Sequence, residues 1–483
     1  MNGVSYLADM LQQIADRGRR FLAAPFAGED APAGLEAVAA SCRALLSSRG
    51  EASGMALARS VLAAFEGFGA ADKRAFLKLL AEDFGADGER IARAIAAWQA
   101  DPTPTALQAL HLAAEPSRQE LIRRLNLAPG GTAALVAMRE RLLAEKKGDV
   151  HLEALDADFA HLFASWFNRG FLVLRPISWS TPADILEKII RYEAVHTITG
   201  WDDLRRRLVP EDRRCFAFFH PRLSDDPLIF VEVALTREIP ASIDAVLGED
   251  RVHIAAGEAT TAVFYSISNC QEGLRGISFG NFLIKQVVED LSRELPRLDT
   301  FVTLSPVPGF SAWLARERAD ETSELIAPED RERLALLDTP GWADDAERAE
   351  AVRPALLAAA AAYFLKARNG AGKPPDPVAR FHLGNGARLE RLNHLGDRSA
   401  RAMASSHGLM VNYLYKLDDI EANHEAYAAG SDVPASAAVR KLVRTTDRGR
   451  ERRREGAEAE RRALPAPAAG EAGGARGREE RVS

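Results

Sequence analysis

The periodicity of the apolar residues changes once along this 483-residue chain, near Gly170. Before that point apolar residues recur at spacings of three and four, as in Phe76, Leu77 and Leu80, which is typical of helices that bury one face. After it, short runs rich in β-branched and aromatic residues are bounded by Pro, Gly and Asp, a pattern that predicts strands. The sequence therefore predicts an all-α region over 1–168 and a mixed α/β region after it.

Glycine and proline residues divide the first region into segments of uneven length. The candidate breaks are Pro25, Pro32, Gly50, Gly85, 101–104, Pro116 and 129–131. Such breaks predict about seven to nine helices. Because their spacing is uneven, we do not predict a repeat architecture.

Six short runs in the second region are candidate strands. They are 171–175, 215–219, 228–235, 261–267, 300–304 and 408–415. Between the fourth and fifth lies 279–291, in which the apolar residues form one helical stripe. The order strand, loop, helix, strand predicts a βαβ-like unit.

Two further segments differ from this mixed pattern. Residues 327–368 have a helical pattern and are predicted to be an insertion. Residues 445–483 combine mixed charge with Ala, Gly and Pro, and such a composition buries too little apolar surface to fold. We therefore predict three parts: a helical domain over 1–168, a mixed domain over 169–444 with the helical insertion, and a disordered tail.

Charge and cysteine content exclude several classes of protein. The chain has 62 basic and 69 acidic residues, a formal charge of −7, which argues against nucleic-acid binding by bulk charge. Three widely spaced cysteines, Cys42, Cys215 and Cys270, suit neither a disulfide framework nor a zinc site. No segment resembles a membrane span or a secretory signal. We expect a soluble, cytoplasmic protein.

A glycine-containing segment, 271–285, lies between a predicted strand and the amphipathic helix. Such a turn can direct backbone N–H groups at an anion, and Gly276 and Gly280 permit close backbone approach. The spacing matches neither the dinucleotide-binding nor the P-loop motif. The segment is consistent with phosphate binding, although a glycine-containing turn of this kind is more often an ordinary tight connection.

Ser305 follows the fifth predicted strand in the segment LSPVPGF. Pro306 and Pro308 restrict the backbone on its C-terminal side, which is a sound way to hold a hydroxyl in place. Taken alone, the segment is also consistent with a serine that merely helps to form a turn.

His382 lies between Phe381 and Leu383 and precedes a loop of small residues. That loop would leave room for a ligand, although a histidine between apolar residues is more often a core residue. His220, His394 and His407 are interpreted as structural. Because metal-ligand motifs are absent from the sequence, we predict no metal.

Five segments taken together resemble the malonyl-CoA decarboxylase family. They are FFHPRLSDDPLIFVEVALT (218–236), FYSISNCQEGLRGISFGNFLIKQVV (264–288), LSPVPGFSAWL (304–314), ARFHLGNGARLERLN (379–393) and HGLMVNYLYKL (407–417). The resemblance implies an α+β multidomain fold, in which a helical N-terminal bundle precedes a catalytic domain of the GCN5-related N-acetyltransferase (GNAT) type. It also implies a homotetramer with the helical domains at the contacts.

The resemblance also assigns residues to roles. It implies that Ser305 and His382 are the catalytic pair and that Tyr415 lies close to them. It implies that one loop binds CoA, with Ser278 where a typical acetyltransferase has a glycine. The loop residues are Arg275, Gly276, Ile277, Ser278, Phe279, Gly280 and Asn281.

The implied reaction converts malonyl-CoA to acetyl-CoA and CO₂ as a step of fatty acid metabolism. The thioester itself accepts the electrons, so no cofactor beyond the CoA thioester is expected. With an ordinary pKa near 6.5, His382 would carry a proton at neutral pH and deliver it to carbon, while Ser305 would hold the carboxylate. The alternatives are a CoA-dependent acyltransferase and a non-catalytic acyl-CoA sensor.

Overall fold

The computed structural model describes residues 34–47, 50–277, 283–430 and 432–443. The chain divides into two compact units. The first unit comprises Met1–Ser305, Gly384–Ala387 and Tyr413–Glu425, and the second comprises Pro306–Leu383, Arg388–Asn412 and Ala426–Ser483. The predicted tail over 445–483 lies outside the described residues, as does the start of the helical region. The predicted domain boundaries at 168 and 444 stay predictions.

The described part of the predicted helical region contains eight α-helices, all in the first unit. Several begin at a side-chain cap: Asp87, Thr103 and Asp149 each accept hydrogen bonds from backbone N–H groups of the following turn, which satisfies groups that a helix leaves unpaired. The helices are α1 (Leu35–Ser47), α2 (Glu51–Gly67), α3 (Ala70–Asp83), α4 (Gly88–Ala100), α5 (Pro104–Ala114), α6 (Ser117–Leu125), α7 (Gly131–Glu145) and α8 (Val150–Trp166).

The first unit continues into a twisted sheet with strands in chain order. The strands are β1 (Val173–Ile177), β2 (Arg213–His220), β3 (Leu223–Thr236), β4 (Thr261–Asn269) and β5 (Thr300–Thr303), and the helices beside them are α9 (Ala183–Tyr192), α10 (Trp201–Leu208), α11 (Asp244–Leu247) and α12 (Leu283–Glu294). The first four strands pair antiparallel. Buried residues of α9, among them Ile185 and Ile189, pack with Phe219 and Phe230 of the sheet.

Strands β4 and β5 pair in parallel and are joined through α12. This confirms the predicted βαβ-like unit, and it agrees with the GNAT-type catalytic domain that the resemblance implied. The parallel register runs from Thr261 and Thr300 to Phe264 and Thr303. Beyond Phe264, β4 continues to Asn269 without this pairing.

The second unit is mainly helical. Its elements are β6 (Ser305–Pro306, shared with the first unit), α13 (Phe310–Ala319), α14 (Pro328–Leu334), α15 (Ala346–Leu365), α16 (Pro377–Gly384), β7 (Arg388–Asn393), α17 (Ala400–Ser406), β8 (Met410–Leu414, whose end lies in the first unit), α18 (Ile420–Ala428, divided between the units) and α19 (Ala437–Leu442). The predicted helical stretch 327–368 is confirmed as α14 and α15. The alanine-rich half of α15 is almost wholly buried, which explains its apolar character.

The six predicted strands are all present, with ends that differ by a few residues. The sequence did not predict β6 and β7. The first has only two residues and lies in a proline-rich segment, and β7 has the sequence RLERLN, which lacks a regular alternation of apolar and polar residues. Among the described helices, none combines the length and apolar character needed to cross a membrane.

Candidate active site

Ser305 lies two residues after Thr303, where β5 ends. Its Oγ donates a hydrogen bond to Thr303 Oγ1 at 2.9 Å, and the same Thr303 oxygen accepts the backbone N–H of Tyr413 at 3.1 Å. Thr303 is fully buried and Ser305 nearly so. The sequence predicted that the prolines after Ser305 restrict its backbone and so hold its hydroxyl in place. The hydroxyl is also held by its hydrogen bond to Thr303.

Tyr415 follows β8, which pairs with β5 at Val302 and Leu414. Its backbone N–H donates to Phe301 O at 2.8 Å, and its ring packs edge-on against Phe264 with centroids 6.4 Å apart. Burial raises the pKa of the Tyr415 phenol well above its usual value, so the group is a neutral donor at pH 7. The paired strands therefore carry Ser305 and Tyr415 in the same unit.

His382 lies in α16, in the second unit. Asp376 accepts the backbone N–H of Ala379 at 2.8 Å in the first turn of this helix. The carboxyl of Asp376 is fully buried, and burial raises its pKa to about 6. Asp376 precedes Pro377, a common signal for a helix start, so this residue was recognisable in the sequence and was missed.

The expectation that His382 keeps an ordinary pKa is wrong. The side chain is buried, and the loss of hydration lowers its pKa to about 3, because burial disfavours the charged imidazolium. The ring is therefore neutral at pH 7. Its role in catalysis stays a proposal.

The loop of small residues after His382, which was expected to leave room for a ligand, is filled at one of its glycines. Gly386 has a φ of +81°, and a Cβ at this position would lie 2.2 Å from Ile420 O. The space beside Gly386 is therefore filled by α18 rather than open to a ligand. Gly384, by contrast, has no atom within 4 Å of a Cβ placed there.

The predicted CoA loop is described in part. The side chain of Arg275 is 65% exposed, and its Nη1 lies 3.5 Å from Glu272 Oε2. Gly276 has a φ of +81°, and the space beside it is open. Ile277 is buried. Ser278, Phe279, Gly280 and Asn281 lie outside the described residues.

The cysteine and acidic side chains of the described residues form no arrangement suited to binding a metal ion. Cys42, Cys215 and Cys270 are free and buried. Within 34–47, 50–277, 283–430 and 432–443, no group of three or more His, Cys, Asp or Glu side chains is placed to hold a metal ion.

The sequence reasoning also missed Thr303. The signal was present, since residues two apart on a strand face the same side, so a hydroxyl at position 303 is placed to meet that of Ser305.

Acid should destabilise the protein through its buried histidines. A lowered folded-state pKa means that the unfolded chain binds more protons between pH 6.5 and pH 3, so stability is present above about pH 6.5 and is lost as the pH falls. His220, His394 and His407 also have pKa values lowered by burial. We expect His382 alone to reduce the free energy of unfolding by about 2 kcal/mol between pH 7 and pH 5.

Urea unfolding at a series of pH values measures this effect. In His382→Gln, the free energy of unfolding should depend less steeply on pH than in the wild type. His111→Gln replaces an exposed histidine and should leave that dependence unchanged. If the free energy of unfolding changed equally steeply with pH in the wild type and in His382→Gln, the assignment of a neutral, buried ring would be contradicted.

Two family models together match most of the described chain, from residue 84 onwards. The model of the malonyl-CoA decarboxylase N-terminal domain matches residues 84–167, and that of the malonyl-CoA decarboxylase C-terminal domain matches residues 170–453. The second match alone covers more than half of the 483 residues.

Solved structures and curated proteins with the same name are similar to this chain. A crystal structure of malonyl-CoA decarboxylase from Rhodopseudomonas palustris has 62% identity and a TM-score of 0.81, covering 85% of this chain and 100% of that one. One from Agrobacterium vitis has 63% identity and a TM-score of 0.80, with coverages of 84% and 99%. The mitochondrial malonyl-CoA decarboxylase of Anser anser anser is 35% identical over 412 residues, 78% of this chain and 81% of that protein.

The segments that suggested a family are thus matched together with residues 84–167 of the helical region, which contains no diagnostic motif of its own. From these matches, the chain belongs to the malonyl-CoA decarboxylase family.

Proposed function

We propose that this chain is a carboxy-lyase that converts malonyl-CoA to acetyl-CoA and CO₂. The observation that carries the proposal is the family match across both regions, together with 35% identity to a curated enzyme of that name. The buried Ser305–Thr303 pair supports it, because an ordered hydroxyl beside a strand end suits a reaction that depends on positioning.

The chemistry makes few demands on the protein. When the bond to the carboxylate stands perpendicular to the thioester plane, its electrons flow into the carbonyl as CO₂ departs, and an enolate forms. The enolate carbon then takes one proton, so malonyl-CoA and a proton give acetyl-CoA and CO₂. The protein must orient the carboxylate, stabilise the enolate oxygen and supply that proton, and no metal or further cofactor is needed.

We assign the proton steps to Ser305 and His382. When substrate binds, the Ser305 O–H turns from Thr303 Oγ1 to donate to the substrate carboxylate, and so holds the reactive conformer. His382 is neutral before substrate binds, as its burial dictates. A carboxylate brought close to the ring raises its pKa, so the ring takes up a proton with the substrate and delivers it to carbon. Tyr415, a neutral phenol, is assigned as a further hydrogen-bond donor.

The enolate oxygen is assigned to the edge of β4 where its pairing with β5 ends, two residues before Ser305. The pairing of β4 with β5 ends at Phe264 and Thr303, and a β-bulge interrupts the β3–β4 ladder between Glu232 and Val233. Bulges and strand ends free backbone groups from the ladder. Backbone N–H groups of this part of β4 are the proposed donors.

The loop from Arg275 to Asn281 is proposed to hold the CoA pyrophosphate. The exposed guanidinium of Arg275 and the open space beside Gly276 support this assignment. A planar guanidinium suits phosphate oxygens well.

Three finer statements are proposals from composition and resemblance. The protein is cytoplasmic, it forms a homotetramer through its helical domain over 1–168, and it acts in fatty acid metabolism. Sedimentation of the purified protein at several concentrations tests the oligomeric state.

The test of the reaction follows acetyl-CoA and CO₂ formed from malonyl-CoA by the purified chain, with and without a chelator and without an acyl acceptor. Equal amounts of both products, with or without the chelator, are expected. Product that requires an added acceptor would indicate an acyltransferase, and tight binding of unchanged malonyl-CoA would indicate a sensor.

A further inference from the structure

The start of the proposed CoA loop packs directly on a helix of the N-terminal region. The turn Glu272–Leu274 precedes Arg275, and a Cβ at Gly273 would lie 2.0 Å from Val136 O of α7. No side chain fits at position 273 without moving one of the two backbones. The loop and α7, both in the first unit, are therefore in backbone contact.

Arg139, one turn further along α7, binds this loop through its guanidinium. Its Nη1 donates to Gly273 O at 2.7 Å and to Arg275 O at 3.0 Å. These two carbonyls lie on either side of Leu274, immediately before Gly276. Hydrogen bonds from a charged donor are stronger than neutral ones, so the two together restrain the path of the loop.

Asp156 of α8 aligns the guanidinium. Its Oδ1 accepts from Arg139 Nε at 2.8 Å, and its Oδ2 accepts from Lys146 Nζ at 2.5 Å. Arg139 and Asp156 are both buried. The planar guanidinium of Arg139 donates hydrogen bonds to a carboxylate and two carbonyls in fixed directions. A lysine ammonium cannot reproduce this geometry.

We propose that Arg139, aligned by Asp156, is a positioning residue for CoA, so that the helical region contributes to substrate binding through the loop. The inference rests on the proposed function, which assigns Arg275 and Gly276 to CoA. Arg139 acts through the loop backbone. Its loss should therefore weaken the binding of CoA thioesters more than it slows the chemical step.

A second buried pair, between α6 and α8, provides a matched control. Arg118 Nε lies 2.5 Å from Asp158 Oδ2, and Arg118 Nη1 donates to Ala81 O at 2.8 Å. Asp158 stands two residues after Asp156 on α8. These Arg118 partners belong to the helical region, so Arg118→Met breaks a comparable ion pair away from the loop.

The experiment compares the wild type, Arg139→Met and Arg118→Met in steady-state decarboxylation, acetyl-CoA calorimetry and thermal unfolding. Both variants should lower Tm, since each removes the arginine partner of a buried carboxylate. Only Arg139→Met should raise KM for malonyl-CoA and Kd for acetyl-CoA, by about tenfold, a change of about 1.4 kcal/mol. Its kcat should stay within about threefold of the wild type, and Arg139→Lys should be intermediate.

Hydrogen exchange of the wild type gives a readout that does not depend on the folding of a variant. Acetyl-CoA should slow amide exchange in α7 (Gly131–Glu145) and leave α4 and α5 (Gly88–Ala100 and Pro104–Ala114) unchanged. Equal KM and Kd values for the two methionine variants, or no acetyl-CoA-dependent protection of α7, would overturn the inference.

The two proposals fail in different ways. A wild type that binds acetyl-CoA but does not decarboxylate malonyl-CoA would overturn the proposed reaction, and the Kd comparison would still decide the role of Arg139. A wild type that binds no CoA thioester would overturn both.

Discussion

Ser305→Ala and His382→Ala should each lower kcat for malonyl-CoA decarboxylation by about a thousandfold, as expected when a positioned proton-handling group is removed. Ser305 Oγ is proposed to hold the carboxylate in the reactive orientation, and His382 to return a proton to carbon. The rate of acetyl-CoA formation under saturating malonyl-CoA measures the effect. Because the two groups act on one step, the double variant should be little worse than either single one.

Thr303→Val provides a graded comparison. It removes the oxygen that accepts the Ser305 hydroxyl and the Tyr413 N–H while keeping the shape of the side chain. Since Ser305 itself remains, we expect kcat to fall by about tenfold, the usual order for one lost orienting hydrogen bond.

Two substitutions away from these residues serve as controls. Ser292→Ala removes a hydroxyl that bonds within α12, and His111→Gln replaces an exposed histidine. Both should leave kcat within about twofold, the range expected for surface changes. If Ser305→Ala and His382→Ala were no worse than these controls, the proposed catalytic pair would be wrong.

Gly386→Ala should reduce the free energy of unfolding by at least about 3 kcal/mol, through two separate costs. The residue has a φ of +81°, which an alanine adopts only with strain, and the new methyl group would lie 2.2 Å from Ile420 O and 2.8 Å from Ile420 Cγ2. The backbone must shift to relieve that contact. Urea unfolding at pH 7.5 measures the loss.

Gly372→Ala and Gly370→Ala separate the two costs. Gly372 has a φ of +73° with nothing within 4 Å of the added Cβ, so its substitution should cost only the backbone strain, about 1 kcal/mol. Gly370 has no positive φ and no neighbour within 4 Å, so alanine should be nearly neutral. A loss at Gly386 no greater than that at Gly372 would refute the steric argument.

The elements of the fold were predicted well because their signals are local. Six of the helices α1 to α8 bury several residues of one face, whereas α4 and α5 bury only Ala94 and Ala113. Burying one face requires apolar residues at spacings of three and four. Strands β2 to β5 are rich in β-branched and aromatic residues. The βαβ-like unit followed from the order of these patterns, whereas β6 and β7 were missed because neither carries a strand pattern.

The site was predicted less completely. Ser305 was recognisable from its two prolines, and the resemblance indicated His382 and Tyr415. The pKa of His382 was not predictable, because the hydration of the ring depends on residues packed around it from distant parts of the chain. The space expected beside Gly386 was also wrong, since Ile420 occupies it.

What the sequence by itself determined is the kind and order of the elements, the family, and the residue types proposed to carry the reaction. These depend on neighbours within a few positions or on long matching segments. Only the tertiary structure decided that His382 is neutral, that Thr303 accepts the Ser305 hydroxyl, and that Arg139 reaches the loop at Gly273 and Arg275. Arg139 and Gly273 are 134 positions apart, and a contact over that separation is set by packing rather than by any local pattern.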